Sequence, residues 1–160
     1  MDRIIVDNWN SKVKKNDTVY IIGDCFLVNK KTDYYLSQLE GKKVLVLGNH
    51  DDLRDYSVNA KERFEIITPY LAINIDIYAI TLCHYPMLEW KFSRSKSKSN
   101  YLTHGHIHNR ILPEYTTLFT KDNTLNAGVD INGFCPVTLE EFVANNRTFK
   151  QKALKILSSI

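Results

Sequence analysis

The chain has little of what cross-links or interrupts a polypeptide: 3 cysteines, 4 prolines and 6 glycines in 160 residues. Cys25, Cys83 and Cys135 are odd in number and widely spaced, which argues against a disulfide framework and for free thiols in a reducing compartment. No apolar run approaches the ~18–20 residues of a membrane span, and Met1-Asp2-Arg3 lacks the apolar core of a signal peptide. The expected location is therefore cytoplasmic, with no membrane partner. Charge of one sign is also missing. Lys and Arg number 21 against 18 Asp and Glu, a net +3, too balanced to argue for nucleic-acid binding on charge alone. The length, with 44% hydrophobic residues, fits a single domain over 1–160 that can bury its own core without staples.

Periodicity supplies the elements. Met1–Val13 reads as a helix, with Ile5, Trp9 and Val13 as its apolar stripe. Thr18–Ile22 and Lys43–Leu47 are short β-branched or aliphatic runs, as buried strands should be. Between them Thr32–Leu39 reads as a helix closed by Gly41, and Ser57–Arg63 as a second crossover helix. Strand, helix, strand, helix implies parallel pairing in this half. Glu65–Ile80 alternates apolar and polar residues, with Ile73, Ile75, Ile77 and Ala79 on one face, and the expectation for this half is antiparallel pairing. Ile80–Cys83, Tyr101–Thr103 and Thr124–Ile131 are further strand candidates, and Lys91–Asn100 is a basic, Ser-rich loop. Thr138-Leu-Glu-Glu141 has capping-box spacing, so a helix should run from there to about Asn146. The tail, with Leu154, Ile156 and Leu157, is a further helical candidate.

Where the apolar runs stop, chemistry-bearing residues stand. Asp24 follows Thr18–Ile22, Asn49-His50 follows Lys43–Leu47, His84 follows Ile80–Cys83, and His104, His106 and His108 follow Tyr101–Thr103. All five histidines lie at these junctions. In open α/β sheets ligands bind beyond the C-terminal ends of strands, so these residues are expected to converge. Taken singly, an aspartate after glycine is a turn residue and a strand-end histidine a hydrogen-bonded core or surface residue. The joint pattern favours a site. Carboxylate, amide oxygen and imidazole form a ligand set suited to Mn, Fe, Zn or Ni. The cysteines do not fit that set: Cys83 and His84 are neighbours and point to opposite strand faces, so the thiols are read as buried and inert.

At these residues the chain resembles the calcineurin-like metallophosphoesterase family, whose ordered signatures are D-x-H, G-D, G-N-H-D/E, a lone His and G-H-x-H. Gly23-Asp24, Gly48-Asn49-His50-Asp51, His84 and Gly105-His106-Ile107-His108 follow that order, and the likeness runs from Trp9 to Asn145. It is closest to small bacterial and phage-type members, which share W-N-S near the start, H-Y-P at the lone His, and N-x-G-V-D-x-N-G like Asn126–Gly133. The resemblance implies an α/β (α+β) chain in a four-layer α/β/β/α sandwich of two mixed β-sheets. It also implies one or two divalent transition ions, Mn²⁺ first, with Fe, Zn or Ni suited. Asp24 would bridge, Asn49, His84 and His106 would complete one ion's shell, and His108 would belong to the other. His50 would contact the phosphate and protonate the leaving oxygen, with Asp51 supporting the ligands from behind. His104 lies outside the motif, although periodicity alone groups it with His106 and His108. Two cations about 3.5–4 Å apart can clamp a phosphate and activate a water for in-line attack, and an imidazole of pKa ~6.5 can protonate an alkoxide.

The chain departs from that pattern in one large respect. No D-x-H occurs, so the resemblance implies that the family's first strand is missing and that the ion at His108 keeps only Asp24 and His108. The exposed strand edges would be covered by an upstream segment, by strand rearrangement or by a homodimer. Leu27 stands where many members carry an aspartate. The expected activity is hydrolysis of a phosphate mono- or diester, small molecule or nucleotide. The alternative is a metal-binding, catalytically impaired homologue with a regulatory or interaction role. Lys91, Arg94, Lys96 and Lys98 raise a weaker nucleic-acid reading.

Overall fold

Two apolar runs begin the sheet structure of the chain, whose computed structural model describes residues 2–26, 31–94 and 99–159. Thr18–Ile22 (β1) and Lys42–Val46 (β2) pair in parallel, Ile22 opposite Val46. Ile66–Thr68 (β3) adds to β2, also in parallel, completing a three-stranded sheet in the order β1-β2-β3. Side chains alternate across β2, so Leu45 and Val46, both fully buried, serve two different cores. Leu45 packs with Leu36, Tyr56, Ala60 and Phe64. Val46 packs with Ile22, Ile80 and Leu82, which joins the parallel sheet to a second one.

The second sheet runs in the order Tyr70–Ile75 (β4), Tyr78–Cys83 (β5), Asn100–His104 (β6) and Thr124–Asn126 (β7). The chain is thus a mixed α+β protein with two sheets. Only β4 and β5 pair antiparallel; β5, β6 and β7 are parallel. The antiparallel expectation is corrected for β6 and β7. Alternation identifies a strand but not its neighbour, and each connection here returns the chain to the sheet's starting edge before the next strand begins. Ile77 sits in the turn between β4 and β5, 74% exposed, and not on their apolar face.

Several element bounds also differ from the periodic reading. Asp2–Lys12 (α1) buries Val6 and Trp9, followed by buried Val13 just past its end, with Ile5 left at its margin, because spacings of three and four must alternate on a 3.6-residue helix. Thr32–Leu36 (α2) is shorter than expected, and Val58–Glu62 (α3) is N-capped by Ser57. Thr116–Thr120 (α4), entered through a 3₁₀ turn at Pro113–Tyr115, was not legible as a helix. Leu139–Leu157 (α5) carries the expected capping box, with Glu141 N–H donating to Thr138 Oγ1 and Thr138 N–H donating to Glu141 Oε2. It does not end at Asn146. That side chain points inward, donates to the Phe142 and Asn126 carbonyls and accepts from Asn126 N–H, so tertiary partners replace the competing local turn. β7 is likewise cut short: Asn126 Oδ1 accepts from Gly128 N–H and bends the chain into a 3₁₀ turn at Val129–Ile131. Among the described residues, no helix is long and apolar enough to cross a membrane.

Candidate functional site

β1, β2, β5 and β6 all end on one side of the two joined sheets, and their ends approach very closely. A Cβ on Gly48 would stand 2.3 Å from Asp24 Oδ1, and one on Gly23 would stand 2.2 Å from His84 Nδ1. Glycine at these two positions is what lets three loops meet. Beyond them the backbone is unusual. Asp24, His106 and His108 all hold positive φ, at 52°, 67° and 52°. Such values are uncommon outside glycine, although Asp and His tolerate them better than most residues, and they concentrate where a site requires a particular side-chain direction.

The centre of the cluster is the Asn49 amide oxygen. His106 Nδ1 lies 2.8 Å from it and His84 Nε2 lies 3.1 Å from it. His84 Nε2 is also 3.4 Å from Asp24 Oδ2. His84 is 2% exposed, and its other nitrogen, Nδ1, is 2.8 Å from the Ile22 carbonyl oxygen. A carbonyl only accepts, so Nδ1 carries the proton, and in a neutral ring Nε2 then carries a lone pair. That lone pair faces an amide oxygen and a carboxylate oxygen, leaving three electron-rich atoms turned toward one another. Fixing one imidazole nitrogen on a backbone carbonyl and presenting the other is how metal-binding histidines are oriented. The donor set therefore fits a divalent cation held by Asp24, Asn49 and His84, with His106 against them. Among the described residues, no three His, Cys, Asp or Glu side chains form a cage unaided; the cluster depends on the amide.

His106 packs edge-on to His84 at 5.3 Å between ring centres and lies 4.9 Å from Tyr85. Burial first, then the neighbouring His84, lowers its pKa and favours the neutral ring a cation needs. His50 stands exposed at the rim, and its backbone N–H donates to Asp24 Oδ1 at 2.9 Å. His108 lies at the surface, its ring 65% exposed and its Nδ1 3.6 Å from Asp130 Oδ2. His104 is buried behind the site, and burial lowers its pKa to about 4, so it is neutral at pH 7 and packs as a core residue. Cys25 packs into the Leu45 core, where burial raises its thiol pKa, so it is an inert thiol. Leu27, Lys96 and Lys98 lie outside the described residues. Arg94 is paired with Glu89.

Asp51 sets the scaffold. Oδ2 accepts from the backbone N–H groups of Asp24 (2.7 Å) and Gly48 (2.9 Å), and Oδ1 accepts from Cys25 N–H (2.9 Å) and the Tyr56 hydroxyl (2.8 Å). One carboxylate thus ties the loop after β1 to the loop after β2. Two partners of the site were not singled out from the sequence. Tyr56 has no local signal. Arg110 donates to the carbonyls of His106 and Ile107, and its closeness to the histidine motif is the only hint.

The fold and cluster define a mixed α+β protein with an oxygen- and imidazole-lined polar centre at the C-terminal ends of its strands. More particularly, the chain belongs to the family of the uncharacterized protein MJ1445 of Methanocaldococcus jannaschii, with which it is 30% identical over 146 residues, 89% of this chain and 73% of that protein. Gene 66 protein of Mycobacterium phage L5 is 26% identical over 139 residues, taking in 69% of this chain and 66% of its own length. The crystal structure of AQ665 from Aquifex aeolicus, a protein of unknown function, has a TM-score of 0.67 and 28% identity, covering 88% of this chain and 82% of that one. No family model matches the chain.

Proposed function

We propose that the chain is a metal-dependent phosphoesterase of the calcineurin-like metallophosphoesterase class, its two sheets and flanking helices forming that four-layer sandwich. One observation carries the reading: His84, locked on the Ile22 carbonyl, turns a lone pair toward Asp24 and Asn49. A divalent cation, Mn²⁺ by preference among Mn, Fe, Zn and Ni, would neutralise phosphoryl charge and acidify a water there. The protein's own contribution is positional. Asp24 and Asn49 supply oxygen donors, His84 and His106 supply imidazoles, and His50 at the rim is placed to give a proton to the departing oxygen of a phosphate mono- or diester.

A second reading has its own support. The Asn49 amide oxygen has both His84 and His106 against it, so these donors centre on one position. That arrangement suits a metal-binding homologue without turnover. Hydrolysis of bis(p-nitrophenyl) phosphate with Mn²⁺, beside calorimetric Mn²⁺ titration, separates the readings. The phosphoesterase reading expects Mn²⁺-dependent turnover, with Asp24→Ala and His84→Ala each reducing it at least a hundredfold. Equal rates in all three proteins would refute it, and one bound Mn²⁺ without hydrolysis would establish the second reading.

A further inference from the structure

Tyr85 is a large aromatic side chain to which the proposed chemistry gives no part. It follows His84 directly at the end of β5, and its ring folds back against the donor cluster. The ring centre lies 4.9 Å from that of His106 at a tilt of 60°, and 5.2 Å from that of His84, edge-on at 82°. Despite these two contacts the residue is 47% exposed. A lone exposed aromatic is ordinary on a protein surface. Tyr85 differs by its place, since it adjoins the two imidazoles that would hold a cation and, through it, a phosphate.

The backbone that carries the ring is tied down. Pro86 confines Tyr85 to extended conformations. Further along the loop Trp90 is 8% exposed, and Lys121 Nζ lies 5.5 Å from its ring centre while donating to the Leu88 carbonyl at 2.9 Å. The Thr81 hydroxyl of β5 donates to the Lys91 carbonyl at 3.4 Å. A tyrosine ring has only two side-chain torsions, and here its neighbours already restrict them, so little further freedom is lost when a second ring settles on it.

We infer that Tyr85 is a specificity-determining residue: a platform on which a flat ring of the substrate stacks while the phosphate lies at the donor cluster. The commonest such ring on a biological phosphate ester is a nucleobase, so the substrate class is a nucleotide or a nucleotide diester. The inference rests on the phosphoesterase reading for the position of the phosphate. Stacking of a base on an aromatic side chain strengthens binding by about 5–150-fold and is tolerant of which base is offered.

The test compares two ligands that differ in the base: the methylene phosphonate analogues of AMP and of ribose 5-phosphate, whose C–P bond resists hydrolysis. Calorimetry with Mn²⁺ present gives the ratio of their affinities, in which any general weakening of the phosphate position cancels. The unmodified chain should favour the AMP analogue at least fivefold. Tyr85→Phe, which keeps the ring, should keep that ratio, and Tyr85→Leu should bring it close to one. With diamagnetic Zn²⁺ in place of Mn²⁺, the adenine proton resonances should move upfield on binding to the unmodified chain and to Tyr85→Phe but not to Tyr85→Leu. A ratio near one in the unmodified chain, a ratio that survives Tyr85→Leu, or no binding of either analogue overturns the inference. So does an equal loss in Tyr85→Phe and Tyr85→Leu, which would assign the effect to the hydroxyl. Hydrolysis of bis(p-nitrophenyl) phosphate, measured beside these titrations, tells the two readings apart. Turnover with a ratio near one leaves the phosphoesterase reading standing without the platform. A Tyr85-dependent ratio without turnover upholds the platform and refutes the phosphoesterase reading.

Discussion

Replacing Asp51 by asparagine isolates what one buried carboxylate does for this fold. The side chain is 8% exposed, and its two oxygens accept four hydrogen bonds: Asp24 and Gly48 N–H on Oδ2, Cys25 N–H and Tyr56 O–H on Oδ1. An asparagine must put an NH₂ group where one oxygen stood. On the Oδ2 side it would oppose two backbone N–H groups. On the Oδ1 side it opposes only Cys25 N–H, because the Tyr56 hydroxyl can rotate to accept. The second orientation is therefore favoured. It loses one charge-assisted bond, about 2 kcal/mol, and turns the other three into neutral bonds worth about 1 kcal/mol less each. The easier burial of a neutral amide recovers about 2–3 kcal/mol of this, leaving about 2–3 kcal/mol of destabilisation. Urea unfolding at pH 7 should show that loss as a lower midpoint at constant slope, with a melting temperature about 5–10 °C lower. Tyr56→Phe should cost about 1–2 kcal/mol alone and about 1 kcal/mol in the Asp51→Asn background, where the hydroxyl bonds a neutral amide and no longer a carboxylate. Under the proposed metal reading, Mn²⁺ affinity should also fall in Asp51→Asn even where the protein is fully folded, because the Cys25 N–H next to Asp24 loses its acceptor. A stability loss below about 1 kcal/mol would refute the premise that this carboxylate joins the two loops.

Two further outcomes follow from α5. Thr138→Ala removes the acceptor for Glu141 N–H and should cost about 1 kcal/mol, read as faster amide exchange confined to the first turn of the helix. Lys150 is 9% exposed, and burial lowers its pKa from 10.5 to about 8. Between those values the unfolded chain holds the proton more firmly than the folded one, so raising the pH from 8 to 10.5 favours the folded state, by at most about 1.4 kcal/mol per pH unit. Urea midpoints of the unmodified chain should rise across that window relative to Lys150→Met, which lacks the titrating group, and parallel profiles would contradict it.

How much of this was legible depended on whether local pattern and tertiary partner agreed. β1 and β2 read correctly because strands buried on both faces are continuous apolar runs, and Ser57 and Thr138 announce their helices by the side-chain oxygens that cap them. α5 and β7 were misjudged at linked positions. Asn146 looks like a helix stop and Asn126 like a strand residue, yet the Asn146 side chain bonds the Asn126 backbone across twenty positions and stays inside the helix. Neither bond exists in a local window. The parallel placement of β6 beside β5 was hidden for a similar reason, since the intervening connection carries no periodic signal of its return path. The meeting of Asp24, Asn49, His84 and His106 follows from four strand ends sharing one side. The exposure of His108 does not, because positive φ at both His106 and His108 breaks the alternation of a strand.

The deeper limit concerns carboxylates. Asp24 and Asp51 occupy similar strand-end positions, and composition makes them equivalent, yet they do opposite work. Asp51 is saturated: two backbone donors on one oxygen, a backbone donor and a phenol on the other, so it has no lone pair directed at a ligand. Among the described residues, Asp24 accepts one backbone N–H, from His50 on Oδ1, and its Oδ2 faces His84 Nε2. A carboxylate with all its directions filled holds loops together; one with a direction open toward an imidazole lone pair has room for a further partner. Which aspartate takes which part is decided by the backbone that surrounds it: Gly48 admits Asp24 to within a Cβ's breadth, and the closeness so gained brings the Asp24 and Cys25 N–H groups to Asp51. The saturated acid is therefore what frees the other.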